Sequence, residues 1–214
     1  MALSRMGSLN ALEQTKGNSF WEHWLEEKLP SADTTGRVFF KIDCNSIRRA
    51  MRHIYNRLKR NKALKPAFGN LFALIVDGHE SSASYLRCCS ECLKRTIHTT
   101  EGDRIQYYHR NVTAVLLCKD FLLLLDMELQ LPDEDEVAAA MRLVERVLRN
   151  YPRAFQLIVA DGLYTRPNFF QLALGHGKEV ITVLKDERRD LLQDAYGLFK
   201  YEEPTVTQYG NTQR

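Results

Sequence analysis

Gln156 to Asn168 reads QLIVADGLYTRPN, and the order of residue types in it decides the fold class. Four apolar residues, Leu157 to Ala160, run into Asp161 and Gly162, and a helical pattern follows at Pro167. The stretch therefore predicts a buried strand that delivers one carboxylate onto a strand-to-helix turn. In an open α/β sheet that edge is where ligands bind. A second stretch, FALIVDGHE, has the same form: Phe72 to Val76 is an apolar run that ends in Asp77 and Gly78. Two such strands lying side by side and parallel bring two carboxylates together at one edge of the sheet, where they suit a divalent cation.

Working outward, 214 residues allow one good-sized domain and a smaller one. At 44% hydrophobic and 27% charged the composition is that of a globular protein, not of a disordered or fibrous chain. The longest apolar run, Phe121 to Leu125, is far too short for a membrane span, and the N-terminus MALSRMGSLNALEQ lacks the apolar block of a signal peptide. A cytoplasmic location is expected. Five cysteines (Cys44, Cys88, Cys89, Cys92 and Cys118), an odd number at no framework spacing, agree with a reducing compartment. The net charge of +3 is unevenly placed. Residues 1–70 carry 13 Lys+Arg against 6 Asp+Glu, whereas residues 71–214 carry 17 against 21.

The basic charge concentrates on one predicted helix. Residues 1–18 are polar and expected to fray. Ser19 to Leu29 has the spacing of a short amphipathic helix, and Ser31 is placed to cap another through Val38, Phe39 and Ile42. Asp43 or Asn45 caps the next, Ser46 to about Lys62. There Ile47, Met51, Ile54, Tyr55 and Leu58 line one face, and Arg48, Arg49, Arg52, Arg57, Lys59 and Arg60 occupy the rest. Two short helices joined by a tight polar turn, the second rich in Arg, resemble a helix-turn-helix, and eight basic residues without a compensating acid favour phosphate as partner. A solvated helix face is the plain alternative.

Beyond Lys65-Pro66 the pattern predicts a strand ending at Asp77, a polar cysteine-bearing segment (His79 to Gly102), and a hairpin of Arg104 to Leu117 with Leu123 to Leu131. The second hairpin strand alternates, with Leu123, Leu125, Met127, Leu129 and Leu131 on one face and Asp126, Glu128 and Gln130 on the other. A helix follows from Pro132-Asp133, where Asp133 and Glu136 form a capping pair and the acids suit the helix dipole. Then come the Asp161 strand, a helix from Asn168 to Leu174, a third buried strand from Glu179 to Leu184 and a helix over Arg188 to Phe199. The strand-helix-strand passages from Leu123 onward imply parallel neighbours. The fold class is α/β, a mixed sheet with helices packed on it, preceded by a small helical domain.

Several blocks, in order, carry a resemblance to a known family: LPSADTTGRVF at Leu29 to Phe39, LIVDGHE, IQYYHRNVTAVLL, PDEDEVAAAMRLVERVL, LIVADGLYTRPNFF and VITVLKDERRDL. Together they span most of the chain and resemble the insertion-sequence transposases of the DDE type, whose catalytic domain has the ribonuclease H fold. In that fold a first strand carries an Asp, two antiparallel strands follow, and a fourth strand beside the first carries the second Asp. The resemblance implies a flexible N-terminus (1–18), a helical, basic DNA-binding region (19–66), a ribonuclease H-like catalytic core (70–200) and a tail (201–214). It makes Asp77 and Asp161 the first two members of the acidic triad. No tyrosine here begins the family's Tyr-x-x-Arg-x-x-x-Glu run, so the third carboxylate is expected to be missing and the copy truncated, which leaves both an active and an inactive transposase open.

What the resemblance implies chemically is phosphodiester hydrolysis and strand transfer on double-stranded DNA, with Mg2+ or Mn2+ held by Asp77 and Asp161 and a homodimer assembled on two DNA ends. It implies a nucleoid-associated, cytoplasmic protein with no membrane and no small-molecule cofactor. His79, Glu80 and Lys185 are nearby candidates, Glu80 as a substitute carboxylate and Lys185 for a DNA phosphate. The alternatives are a non-catalytic DNA-binding remnant and a ribonuclease H-like nuclease using two acids plus Glu80. Cys89-x-x-Cys92 has the spacing of half a zinc site, with His79, His98 and His109 as possible completing ligands and His98 singled out. One C-x-x-C is a weak signal, and reduced thiols packed in a loop are expected in place of zinc.

Overall fold

The computed structural model describes residues 8–184, 190–203, 208–209 and 212–213. The chain divides into two compact units, Met1–His53 and Ile54–Arg214. In the first, α1 (Leu9–Glu13) lies inside the segment expected to fray. Caps hold it: the Ser8 hydroxyl accepts from the Ala11 amide at 3.0 Å, and the Glu13 carboxylate accepts from the Ala32 amide at 3.3 Å. In α2 (Ser19–Leu25) the buried Trp21 donates its indole N–H to Thr15 Oγ1 at 2.9 Å. The Ser31 hydroxyl caps α3 (Ala32–Lys41), and the Asp43 carboxylate caps α4 (Cys44–Arg60) by accepting from Asn45 and Ser46. α4 starts two residues earlier than its periodicity predicts and runs on into the second unit, where Tyr55, the one buried residue of its apolar stripe, lies edge-on to Tyr151 of the same unit at 5.2 Å.

The second unit is built on one mixed sheet of β1 (Ala73–Ser84), β2 (Leu93–Thr99), β3 (Gly102–Leu117), β4 (Leu122–Leu129), β5 (Leu157–Ala160) and β6 (Glu179–Thr182). β1 pairs antiparallel with β3 and parallel with β5, which pairs parallel with β6. β2 and β4 follow one another along the far edge of β3. Thus Tyr107 pairs with both Ser84 and Lys94, and Thr113 with both Asp77 and Met127. α5 (Glu136–Asn150) lies against β3 and β4. Its Val137, Ala140, Leu143, Val144 and Val147 are buried, as are Leu74, Val76, Val112, Ala114, Leu116 and Ile158 of the sheet. α6 (Pro167–Gly175) joins β5 to β6, α7 (Asp190–Phe199) buries none of its residues, and β7 (Gln208–Tyr209) pairs with β8 (Thr212–Gln213).

Several expectations are corrected. β1 does not end at Asp77 but runs on to Ser84, so Asp77-Gly78 is interior strand and not a turn. The polar segment after it yields an additional strand, β2, that the alternation did not reveal. β4 and β5 point the same way without being neighbours, because β3 and β1 lie between them. β6 is a half-exposed edge strand rather than a buried one. α5 begins at Glu136 with Asp135, not Asp133, as its cap, accepting from the Ala138 amide at 2.8 Å.

The largest correction concerns β4. The register slips between Ala114 and Val115, which makes Leu125 an extra residue opposite β3. One extra residue inverts the alternation beyond it. Leu123, Leu125 and then Asp126 are buried, while Met127 is 42% exposed. Asp126 and Glu128 therefore meet α5, where Arg146 reaches Asp126 (Nε to Oδ2, 2.6 Å), Glu128 and the Met127 carbonyl, and Arg142 reaches Glu128, Glu134 and the Leu129 carbonyl. Burial opposes the charge on Arg146, yet its bonds to Asp126 and Glu128 more than offset this and push its pKa upward.

Candidate active site

β1 and β5 pair in register from Ala73↔Leu157 to Val76↔Ala160, and Asp77 and Asp161 are the next residue on each. Neighbouring strands put their Cα atoms about 5 Å apart. The residues preceding them, Val76 and Ala160, are buried, and Asp77 and Asp161 are exposed. Gly78 identifies the covered face, since a Cβ there would stand 2.3 Å from the carboxylate carbon of Glu136 at the start of α5. By alternation Asp77 stands on the opposite, open face, and so does its register neighbour Asp161. Thr113 and Met127 continue that row across β3 and β4, and His79 with Asn111 forms the next row. Thr113 donates its hydroxyl to the Asp77 carbonyl at 3.3 Å.

Asp161 ends its strand as the sequence predicts. Its carboxylate accepts from the Leu163 amide at 2.9 Å and caps the 3-10 turn Gly162–Tyr164. That turn buries Tyr164, whose hydroxyl donates to Glu136 Oε1 at 2.6 Å. Glu136 Oε2 accepts from Arg110 of β3 at 3.0 Å. Tyr164 thereby ties the loop holding Asp161 to the carboxylate that lies over Gly78, one residue from Asp77. Burial, then the bond to Glu136, then the charges of Glu136, Asp161 and Asp77 drive the Tyr164 hydroxyl far above the ordinary tyrosine range, so it remains a donor. Glu136 was read from the sequence only as a capping acid. The available signal was Gly78, because a glycine inside a strand marks a close approach.

The other predicted residues are distributed as follows. His79 is exposed on the open face. Glu80 has the parity of the covered face and is gripped by Arg95 through two bonds, Nη1 to Oε2 at 2.8 Å and Nη2 to Oε1 at 3.0 Å. It does not join the aspartates. Lys185 lies outside the described residues. His98 pairs with Asp103, Nδ1 to Oδ1 at 2.7 Å, and does not approach Cys89 or Cys92. His109 takes that place, with its Nε2 3.4 Å from each sulfur.

On α4, Arg49, Arg52, Arg57, Lys59 and Arg60 are exposed and Arg48 is half-buried with a bond to Asn45. Arg49 also bonds Ser46, and the Lys59 ammonium lies 6.0 Å from the Tyr55 ring. Chemically, the open edge offers hard oxygen donors with room for water, which suits Mg2+: that ion keeps several waters and takes one or two carboxylates. Among the described residues, Asp77 and Asp161 are not joined by a third Asp, Glu, His or Cys ligand atom within 4.8 Å. No described helix is long and apolar enough to cross a membrane. No protein-family model matches the chain, and no curated protein matches it.

Proposed function

We propose that this chain is a DNA transposase of the DDE type, with a ribonuclease H-like core in which Asp77 and Asp161 hold a divalent cation. The observation that carries the reading is the pairing of β1 with β5, whose last pair, Val76↔Ala160, is followed on both strands by the aspartate. The strand order supports it. The Asp77 strand is followed by antiparallel partners, and the strand beside it on the other side carries Asp161. Mg2+ or Mn2+ so held supplies Lewis-acid activation of a nucleophilic oxygen and neutralises charge on the scissile phosphate. The chain's own contribution is rigidity: Asp77 is fixed by pairing with Thr113 of β3, one residue beyond the last pair of β1 with β5, and Asp161 is held by the turn that Tyr164 anchors. The exposed arginines of α4 supply phosphate contacts, and a dimer on paired DNA ends belongs to the same reading.

A DNA-binding remnant without catalysis is the second reading, favoured by the lack of a third ligand beside the two aspartates among the described residues. Incubation with a DNA duplex bearing the element's ends, in Mg2+ and in Mn2+, distinguishes the two. The transposase reading expects nicking that Asp77→Asn and Asp161→Asn each reduce by about a hundredfold or more, the scale of losing metal charge stabilisation. Nicking that survives both substitutions overturns it. Salt-dependent binding with no nicking at all favours the remnant. In either reading, Arg52, Arg57 and Arg60 changed together to Ala weaken binding and flatten its salt dependence.

A further inference from the structure

We propose that Cys89, Cys92 and His109 form a zinc site that clamps the connection between β1 and β2 onto β3. The two sulfurs are 3.6 Å apart, and His109 Nε2 is 3.4 Å from each. Zinc bonds of about 2.3 Å to sulfur and about 2.05 Å to nitrogen, at tetrahedral angles, separate two sulfurs by about 3.8 Å and a sulfur from a nitrogen by about 3.6 Å. The three side chains thus already trace one triangular face of a zinc tetrahedron. A disulfide does not account for them, since it needs sulfurs about 2.05 Å apart and both cysteines are free.

Metal-free packing does not account for them well either. A thiol is a weak donor, and two thiols would share the one lone pair of His109 Nε2 at 3.4 Å. Coordination replaces those poor contacts with bonds. The local backbone is arranged for it: the Cys89 amide donates to Cys92 Sγ at 3.2 Å, and the Cys92 amide donates back to the Cys89 carbonyl at 3.3 Å, which holds the two sulfurs on one side of the turn. Two sulfurs and one imidazole select a soft or borderline ion over Mg2+. The three ligands line a cavity of about 580 Å3, with Arg87, Cys88 and Tyr107 also on its wall, which leaves space for a fourth ligand.

The site is distinct from the aspartate pair and does not depend on the transposase reading. His109 pairs with Ser82 and has the parity of Asn111 and Thr113, so it shares the open face with Asp77. Four residues of strand put it about 13 Å along β3 from the aspartate row. Its role is to fix Tyr85 to Cys92, a segment without regular structure, as one wall of that face.

The test is the metal content of the 214-residue chain purified without chelator or affinity-tag nickel, read by elemental mass spectrometry. The expected result is about one zinc per chain, lost in Cys89→Ser, Cys92→Ser and His109→Ala and retained in His98→Ala. Because a cysteine variant can fail to fold, Co2+ is titrated into the zinc-stripped parent chain as well. A thiolate-to-cobalt charge-transfer band with tetrahedral d–d absorption is expected, together with protection of the 85–92 segment from protease that chelator removes. A parent chain that binds neither zinc nor Co2+, or zinc that stays in Cys92→Ser and leaves in His98→Ala, overturns the assignment.

Discussion

Asp77 and Gly78 are consecutive in β1, yet the two faces they belong to are built on opposite plans. Gly78 sits under a closed layer in which charged groups pair with one another: Glu136 with Tyr164 and Arg110, and, further along, Asp126, Glu128 and Glu134 with Arg142 and Arg146. Asp77 and Asp161 are both exposed, and each follows directly on the last paired residues of β1 and β5, Val76 and Ala160. The comparison separates acids that hold the fold from acids free to bind a ligand. A buried carboxylate must be paired, since removing its partner strands a charge in low dielectric. An exposed pair of carboxylates contributes little to stability and retains unfilled oxygen sites for a cation.

The sharpest way to break the comparison is Arg146→Met, which keeps bulk and removes the guanidinium paired with Asp126, whose side chain is only 4% exposed. The expected loss is about 3–5 kcal/mol in urea unfolding, the range for stranding one member of a buried pair. Adding Asp126→Leu should return much of it. A loss below about 1 kcal/mol would mean that the closed face is not held by its charges. Gly78→Ala comes next. The new Cβ meets a Glu136 carboxylate already bonded on both oxygens, so the expected cost is about 1–3 kcal/mol. Thr113→Ala, on the open face beside Asp77, serves as the control and should cost less.

These two substitutions also mark where the sequence stopped being legible. The apolar runs before Asp77 and Asp161 were readable because buried strands carry continuous hydrophobic residues, whereas the crossover rule made β4 the neighbour of β5, a place that β1 takes. The bulge at Leu125 was not, because a one-residue register slip has no residue signature in LLLLDMEL and yet inverts every side chain after it. β2 was hidden for a related reason. LKRTIHT is polar on both sides of an edge strand, so alternation is weak and pairing with β3 decides. Glu136 and His109 were visible as residue types, but their roles depend on contacts with Tyr164 and Cys92, 28 and 17 positions away, which spacing does not encode. Lys178 is a further case. It is buried with its ammonium donating to the Pro152 and Phe155 carbonyls, and burial pulls its pKa down, whereas the sequence offers only a lysine after a Gly turn.

Asp135 tests the boundary between the two plans, since it caps α5 from an exposed position. Its bond from the Ala138 amide, against burial and with help from Arg166, lowers its pKa below the ordinary aspartate value. A depressed carboxylate stabilises the folded state above its unfolded pKa of about 3.9, and that contribution is lost as pH falls through the folded value. Asp135→Asn keeps a capping acceptor but cannot ionise or pair with Arg166. It should cost no more than about 1 kcal/mol at neutral pH, and the difference from the parent should shrink as the pH falls below the ordinary aspartate value and vanish once it is below the folded one. A difference that persists in acid would place the effect in the cap and not in the charge.

The smallest expected effect on stability is the most informative about function. Asp77→Asn removes one of two adjacent like charges from an exposed face, so without divalent cation its unfolding free energy should lie within about 0.5 kcal/mol of the parent, or slightly above it. With Mg2+ the two chains should part. A cation that binds the folded parent raises its stability by RT ln(1 + [L]/Kd), about 2.7 kcal/mol at a hundredfold excess over Kd, and Asp77→Asn should gain far less. Melting both proteins across a Mg2+ series therefore reads cation binding at this edge without requiring any DNA to be cut. Parallel Mg2+ responses in the two chains would show that the open face does not use its aspartate for metal.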